Sequence, residues 1–212
     1  MSKLIICFAA LLLPVLTFAQ YMPGTFVLTG DPSKRYSEII RIRSGELAVK
    51  DSNGKVIKYK PGQILSATTA DNRKFIAVSG FVAMGMNSNH KLYGSTLVEL
   101  IDSGKVCLTR FNDFASSSFS VSNSSGFYDG SLYIVKSTDA VAATTLPGYV
   151  WTNRGKKLYD VLRLYVADRP DLLQLLDAHL INDERIPAFF HAINSGQAIS
   201  PGSPSTVPKS TK

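Results

Sequence analysis

Cysteine is almost missing from this chain of 212 residues, which has two, Cys7 and Cys107, beside three histidines. Cys7 lies in an apolar N-terminal run that reads as a removable leader. Only Cys107 then remains, so no intrachain disulfide can form and a small oxidised scaffold is excluded. There is no His-Glu-x-x-His and no Cys pair at zinc spacing, so no metal site is expected. There is no Gly-x-Ser-x-Gly elbow, and no Ser-x-x-Lys with companion motifs, so no activated nucleophile stands out. No Gly-rich phosphate loop opens a helix, and no cofactor is expected. Long apolar stretches are lacking too. The run from Leu4 to Leu16 is broken by Pro14 and falls short of the roughly 20 residues that cross a bilayer.

That run has a different grammar. Lys3 supplies a positive start, Leu4–Leu16 an apolar centre, and Thr17-Phe18-Ala19 a small-x-small end, the pattern of a secretory signal peptide. No Cys follows the apolar centre, so a lipoprotein anchor is not expected. Cleavage after Ala19 would expose Gln20, which can cyclise to pyroglutamate. The expected location is periplasmic or extracellular, with no transmembrane helix in the mature chain.

The formal charge is +7, and it is unevenly spread. Gln20–Ala115 carries 13 basic and 8 acidic residues, against 9 and 8 from Ser116 to Lys212. A basic surface outside the cytoplasm favours acidic glycans, lipid phosphates or anionic envelope proteins. Nucleic acid is not expected there.

Strand patterns fill the first half. Thr25–Thr29, closed by a Gly30-Asp31-Pro32 turn, and then Glu38–Arg43, Glu46–Lys50 and Lys55–Lys60 each read as strands. Asp51-Ser52-Asn53-Gly54 joins the last two, and Asn-Gly between alternating runs predicts a hairpin. Ile64–Thr69, Lys74–Phe81, Tyr93–Ile101, Lys105–Phe111, Ser131–Lys136 and Ala140–Thr145 continue the series. Met84–His90 reads as an irregular loop and Ser116–Ser125 as a mobile one. The period then changes. Leu158, Val161, Leu162 and Tyr165 share a helical face. A second helix is predicted to start at Asp168-Arg169-Pro170-Asp171, with Asp168 as N-cap and Leu172, Leu173, Leu175 and Leu176 on its apolar side. A third follows Asp183, with Ile186, Phe189, Phe190 and Ile193 as its stripe and Gly196 as terminator. The expected layout is a signal peptide over 1–19, a β-rich domain over 20–150, a helical segment packed on it over 151–199, and a disordered tail over 200–212. Strands followed by helices predict an α+β fold, a curved antiparallel sheet or open barrel of about seven to nine strands with a small helical cap.

Several stretches carry a likeness. These are Phe18-Ala19-Gln20, Gly30-Asp31, the Lys- and Tyr-rich Lys55–Pro61, Leu158…Tyr165…Asp168-Arg169-Pro170-Asp171-Leu172, and Ile193-Asn194. In patches the chain resembles a group of uncharacterised exported β-rich proteins of Bacteroidota, where a sheet is followed by short helices opening near an Asp-Cys-Pro-Glu-Leu-like stretch. Arg169 stands where that stretch has Cys, and the segment after Gly30-Asp31 continues differently. The resemblance implies architecture and export, and no activity.

Chemistry is sparse. Ser95 is flanked by one Gly only. Glu99 with Asp102 is a carboxylate pair of the kind a glycosidase uses, although acids near a hairpin end are commonly a solvated turn. A Cys107/His90 dyad has nothing local to favour it, and Cys107 reads as a buried small hydrophobe. His191 is expected in solvent and His179 at a helix end. The remaining constellation is electrostatic. Alternation puts Arg41 and Arg43 on one sheet face with Lys50, Lys58 and Lys60, suited to sulfate, phosphate or uronate groups. The plain alternative is a solvated, edge-protecting face, and Glu46 lies on it too. The leading expectation is a non-catalytic envelope or secreted binding module. The alternatives are an accessory subunit docking through its helical end and, third, a hydrolase of envelope polymers.

Overall fold

The computed structural model describes residues 21–84, 90–112, 131–137, 140, 142–147 and 155–199. The expected leader, the expected Ser116–Ser125 loop and the expected tail lie outside the described residues. The fold is α+β: mostly antiparallel sheet, then short helices. Its strands are β1 (Met22–Leu28), β2 (Asp31–Arg43), β3 (Glu46–Lys50), β4 (Val56–Tyr59), β5 (Ile64–Thr69), β6 (Lys74–Val78), β7 (Phe81–Met84), β8 (His90–Tyr93), β9 (Thr96–Asp102), β10 (Val106–Asn112), β11 (Ser131–Ser137) and β12 (Thr144–Thr145). Ten make one sheet in the order β12-β11-β10-β9-β6-β5-β1-β2-β3-β4, and β7 pairs with β8 apart from it.

Twelve strands are described, more than the expected seven to nine, because ten segments read as strands in the sequence and two of them each divide. The Lys74–Phe81 run breaks at Gly80, whose φ of +76° turns the chain out of β6 and into β7. The Tyr93–Ile101 run breaks at Gly94-Ser95 between β8 and β9. Both ends of the Met84–His90 stretch, expected to be irregular, are therefore strand residues. Pro32, expected in a turn, lies inside β2, which begins at Asp31. Only Thr144–Thr145 of the predicted last strand pairs, on β11.

The sheet curls without closing into a barrel. Leu97 N–H donates to Ser44 O at 2.8 Å, bringing the β2–β3 turn against the start of β9. Inside the curl Phe26, Ile40, Leu47, Val49, Ile64, Ala67, Phe75 and Leu97 form one core. Val98 alternates to the reverse face, where Val78, Phe111 and Ile134 pack with Phe81 and Ala83 of the β7–β8 hairpin.

The third core lies under the helices α1 (Lys156–Arg163), α2 (Pro170–Asp177) and α3 (Ile186–Ser195). Leu158, Leu162, Leu172, Leu176, Ile186, Phe189 and Phe190 bury against Val106, Leu108 and Val135. Such short helices are marginal alone, so this packing holds them. The α3 residue Asn194 also acts on the sheet. Its Oδ1 accepts from Val106 N at 2.9 Å and its Nδ2 donates to Val106 O at 2.8 Å. Gly104 leaves room for this, since a Cβ there would lie 2.8 Å from the Asn194 amide carbon. Gly196 ends α3 with φ +74°. The expected N-cap at Asp168 is corrected. Arg169 holds the N-cap position, extended at φ −124°, ψ 81°, with no side-chain cap. Pro170 disfavours the helical region for the residue before it. Asp168 instead reaches Lys105 Nζ at 3.3 Å. Among the described residues no helix is long and apolar enough to cross a membrane.

Candidate functional site

The basic face is built by a three-strand register. Ile39–Lys50–Val56, Arg41–Ala48–Lys58 and Arg43–Glu46 are rows across β2, β3 and β4. Gly54 closes the β3–β4 turn at φ +79°, and Asp51 Oδ1 accepts from Asn53 N at 2.9 Å and Lys55 N at 2.8 Å. That turn sets Leu47 opposite Tyr59 and Val49 opposite Ile57 on the core side. Arg41, Arg43, Lys50 and Lys58 therefore share the outer face, and Lys60 continues the alternation just past β4. A slip of one residue would turn these cations inward, where unpaired charge is very costly.

Ala48, at the centre of this face, is fully buried. Long side chains around it exclude water with their stems while their charged ends stay wet. Glu46 engages Lys58 Nζ at 3.1 Å. Glu46 also forms a long ion pair with Arg41, whose Nη2 is 3.8 Å from Glu46 Oε1, too far for a hydrogen bond. Arg41 Nε is buried and has no partner among the described residues. The Arg41 guanidinium instead lies against the Tyr21 ring, 4.8 Å from its centroid, a cation–π contact. Arg43, Lys50 and Lys60 are exposed and have no ion pair among the described residues.

Sequence reasoning missed four contributors. Arg35 lies on the same side of β2 as Arg41, opposite Val27. The sequence pattern leaves it out because Pro32 reads as a turn and the strand as starting at Glu38, although alternation back from Ile39 through Ser37 reaches it. Tyr21 and the exposed pair Ile39 and Val56 add an aromatic and an apolar rim. An open depression at the turn end of the face is lined by Tyr21, Ile39, Lys50, Asn53 and Val56, among others.

A second charged cluster lies elsewhere, on the central strands. Glu99 is a buried carboxylate of β9. Arg73, just before β6, donates from Nε and Nη2 to its two oxygens, each at 3.0 Å. Arg110 of β10 donates from Nη2 at 2.8 Å and Nε at 3.2 Å. Burial pushes the Glu99 pKa up, but the hydrogen bonds from Arg73 and Arg110 outweigh it and hold the carboxyl below its usual 4.5. A glycosidase general acid needs a raised pKa, which this carboxylate lacks; its oxygens are occupied as counter-ion to Arg73 and Arg110.

No family model, curated protein or solved structure matches this chain. The remaining sequence candidates must therefore be read from their surroundings. Asp102 Oδ1 accepts from Ser103 N at 2.8 Å, and its Oδ2 lies 3.3 Å from His191 Nδ1. That histidine is largely exposed. His179, just past α2, has φ +54° and sets its ring 5.0 Å from Tyr159. Ser95 is exposed between β8 and β9. The His90 side chain lies outside the described residues. Cys107 is half-buried in β10 rather than fully so. Burial pushes its thiol up from the usual 9.0, which keeps it protonated and unreactive at neutral pH.

Proposed function

We propose that this protein is an exported, non-catalytic binding module of the cell envelope or its surroundings, taking anionic groups on the outer face of β2, β3 and β4. One observation carries the reading. Arg41 is half-buried, held in place by Tyr21, and makes no hydrogen bond of its own among the described residues. A planar guanidinium pre-set in this way matches carboxylate, sulfate or phosphate oxygens as a two-point contact. Arg43, Lys50 and Lys60 on the same face have no ion pair among the described residues, and Arg35 extends the row about 20 Å along β2. The ligand is held chiefly by exposed cations, so affinity falls as salt shortens the Debye length to about 8 Å.

Retention of the mature protein on a heparin-like resin tests this. The double charge reversal Arg43→Glu with Lys58→Glu should abolish retention and keep the fold by circular dichroism. Elution of that variant with the wild type would reduce the cations to a solvated face. Export is tested separately, since protein from the native host should begin at Gln20 or close to it.

A second reading, an accessory subunit docking through its helical end, rests on Leu164 and Leu180. Both are exposed, Leu164 just past α1 and Leu180 beyond α2. Loss of envelope co-purification in Leu164→Ser, with heparin retention intact, would favour it.

A further inference from the structure

We propose that the depression at the turn end of the basic face is a subsite for an acidic sugar, so that the ligand is a uronate-bearing polysaccharide. The inference rests on the anion-binding reading and names its ligand class. Its grounds lie in what borders Arg41, whose guanidinium makes no hydrogen bond among the described residues and has only a long, 3.8 Å ion pair with Glu46. Tyr21 touches that guanidinium at 4.8 Å and also lines the depression. Lys50 occupies the middle of the floor, flanked across the strands by Ile39 and Val56. Asp51, Ser52 and Asn53 form the far wall.

Each part has a chemical task. A sugar ring presents a C–H face and a rim of hydroxyls. Tyr21, Ile39 and Val56 offer apolar surface to the first. Asn53 is exposed and its turn bond is made by its backbone N–H, so its side-chain amide is free to meet the second. Asp51 spends Oδ1 on the turn, which leaves Oδ2 to accept from a hydroxyl. A carboxylate on the same or the next sugar meets Arg41 or Lys50. Arg41 and Arg43 are two residues apart on one strand, about 7 Å, so further carboxylates along the chain meet further cations. Repeated weak contacts of this kind add through effective concentration. A compact inorganic anion would use the cations and leave the aromatic and amide wall idle. A sugar acid uses both, and the depression is open enough to let a polymer pass through it.

Calorimetric titration of the mature protein with short oligogalacturonate, its methyl-esterified form and inorganic tripolyphosphate tests this. Oligogalacturonate should bind and the ester should bind at least about tenfold more weakly, the loss of one charged contact. Tyr21→Ala should weaken oligogalacturonate by several-fold up to about tenfold, in the range of one aromatic contact, and weaken tripolyphosphate less, because that anion loses only the steadying of Arg41. Asn53→Ala, which keeps the backbone bonds of the turn, should act in the same direction and guards against a folding defect near the N-terminus. Arg41→Gln should weaken both anions. If oligogalacturonate fails to bind while tripolyphosphate binds, or if Tyr21→Ala and Asn53→Ala leave oligogalacturonate affinity unchanged, the sugar subsite is wrong and the anion face survives. If neither anion binds the wild type, both readings fall.

Discussion

Removing the Glu99 carboxylate is the sharpest perturbation available. Glu99→Ala deletes the acceptor of four guanidinium hydrogen bonds and leaves Arg73 and Arg110 facing one another without a counter-charge. Breaking a buried ion pair from one side costs about 3–5 kcal/mol. Two exposures place this case within that range. The Arg110 side chain is 19% exposed and has little room to reach water, whereas Arg73 at 37% can swing outward. The low end is therefore expected, about 3 kcal/mol. At roughly 2–4 °C per kcal/mol for a domain of this size, that lowers the melting temperature by about 6–12 °C. The pH dependence has a definite sign. The folded pKa of Glu99 is depressed below 4.5. Its contribution is therefore complete above the unfolded value and is lost as pH falls through the folded one. Urea unfolding of wild type and Glu99→Gln at neutral pH and at successively lower pH should give curves that converge in acid. Adding Arg110→Ala to Glu99→Ala should cost less than the two separate losses together, by about 1–3 kcal/mol. A loss below about 1 kcal/mol for Glu99→Ala would show a screened surface pair and refute the reasoning.

Phe190→Ala removes a fully buried ring packed 5.8 Å from Tyr165 and 5.9 Å from Phe189. Chemical denaturation should show a loss of about 3–5 kcal/mol. Gly24→Ala should destabilise strongly. Its Cβ would lie 2.7 Å from the Thr68 backbone carbonyl oxygen and 2.3 Å from Ile40 Cδ1, and the carbonyl belongs to a paired strand that cannot yield cheaply. Expression of a normally melting Gly24→Ala would contradict that packing. Cys107 should react slowly with iodoacetamide at pH 7, and Cys107→Ala should leave anion binding unchanged. Rapid labelling, or loss of binding in a folded variant, would bring the thiol back as a functional group.

Much of the architecture follows from local pattern. The Asn53-Gly54 turn between Leu47/Val49 and Ile57/Tyr59 needs no distant contact to define its register, because period-two alternation and a left-handed glycine act within a few residues. The three helical stripes are equally local. The breaks at Gly80 and Gly94-Ser95 were harder. Each sits inside an apolar alternation that reads as one strand, and only the packing of the β7–β8 hairpin over Val98 and Phe111 shows why the chain leaves the main sheet.

The charged residues divide along the same line. Membership of Arg41, Arg43, Lys50, Lys58 and Lys60 in one face was determined by the sequence alone, since side-chain alternation follows from strand geometry. Which of them stay unpaired was decided by the tertiary structure. Glu46 is within reach of several cations in the pattern, yet it engages Lys58 closely, meets Arg41 only at 3.8 Å, and leaves that guanidinium against the Tyr21 ring. Glu99 shows the same limit. The sequence sets it three residues from Asp102 and suggests a carboxylate pair. The folded sheet surrounds it with Arg73, 26 residues before it, and Arg110, 11 residues after it. Short-range periodicity tells which way a side chain points. The charge it meets there depends on strands brought together from far along the chain, and that charge decides whether a carboxylate acts as an acid or as a buried anion.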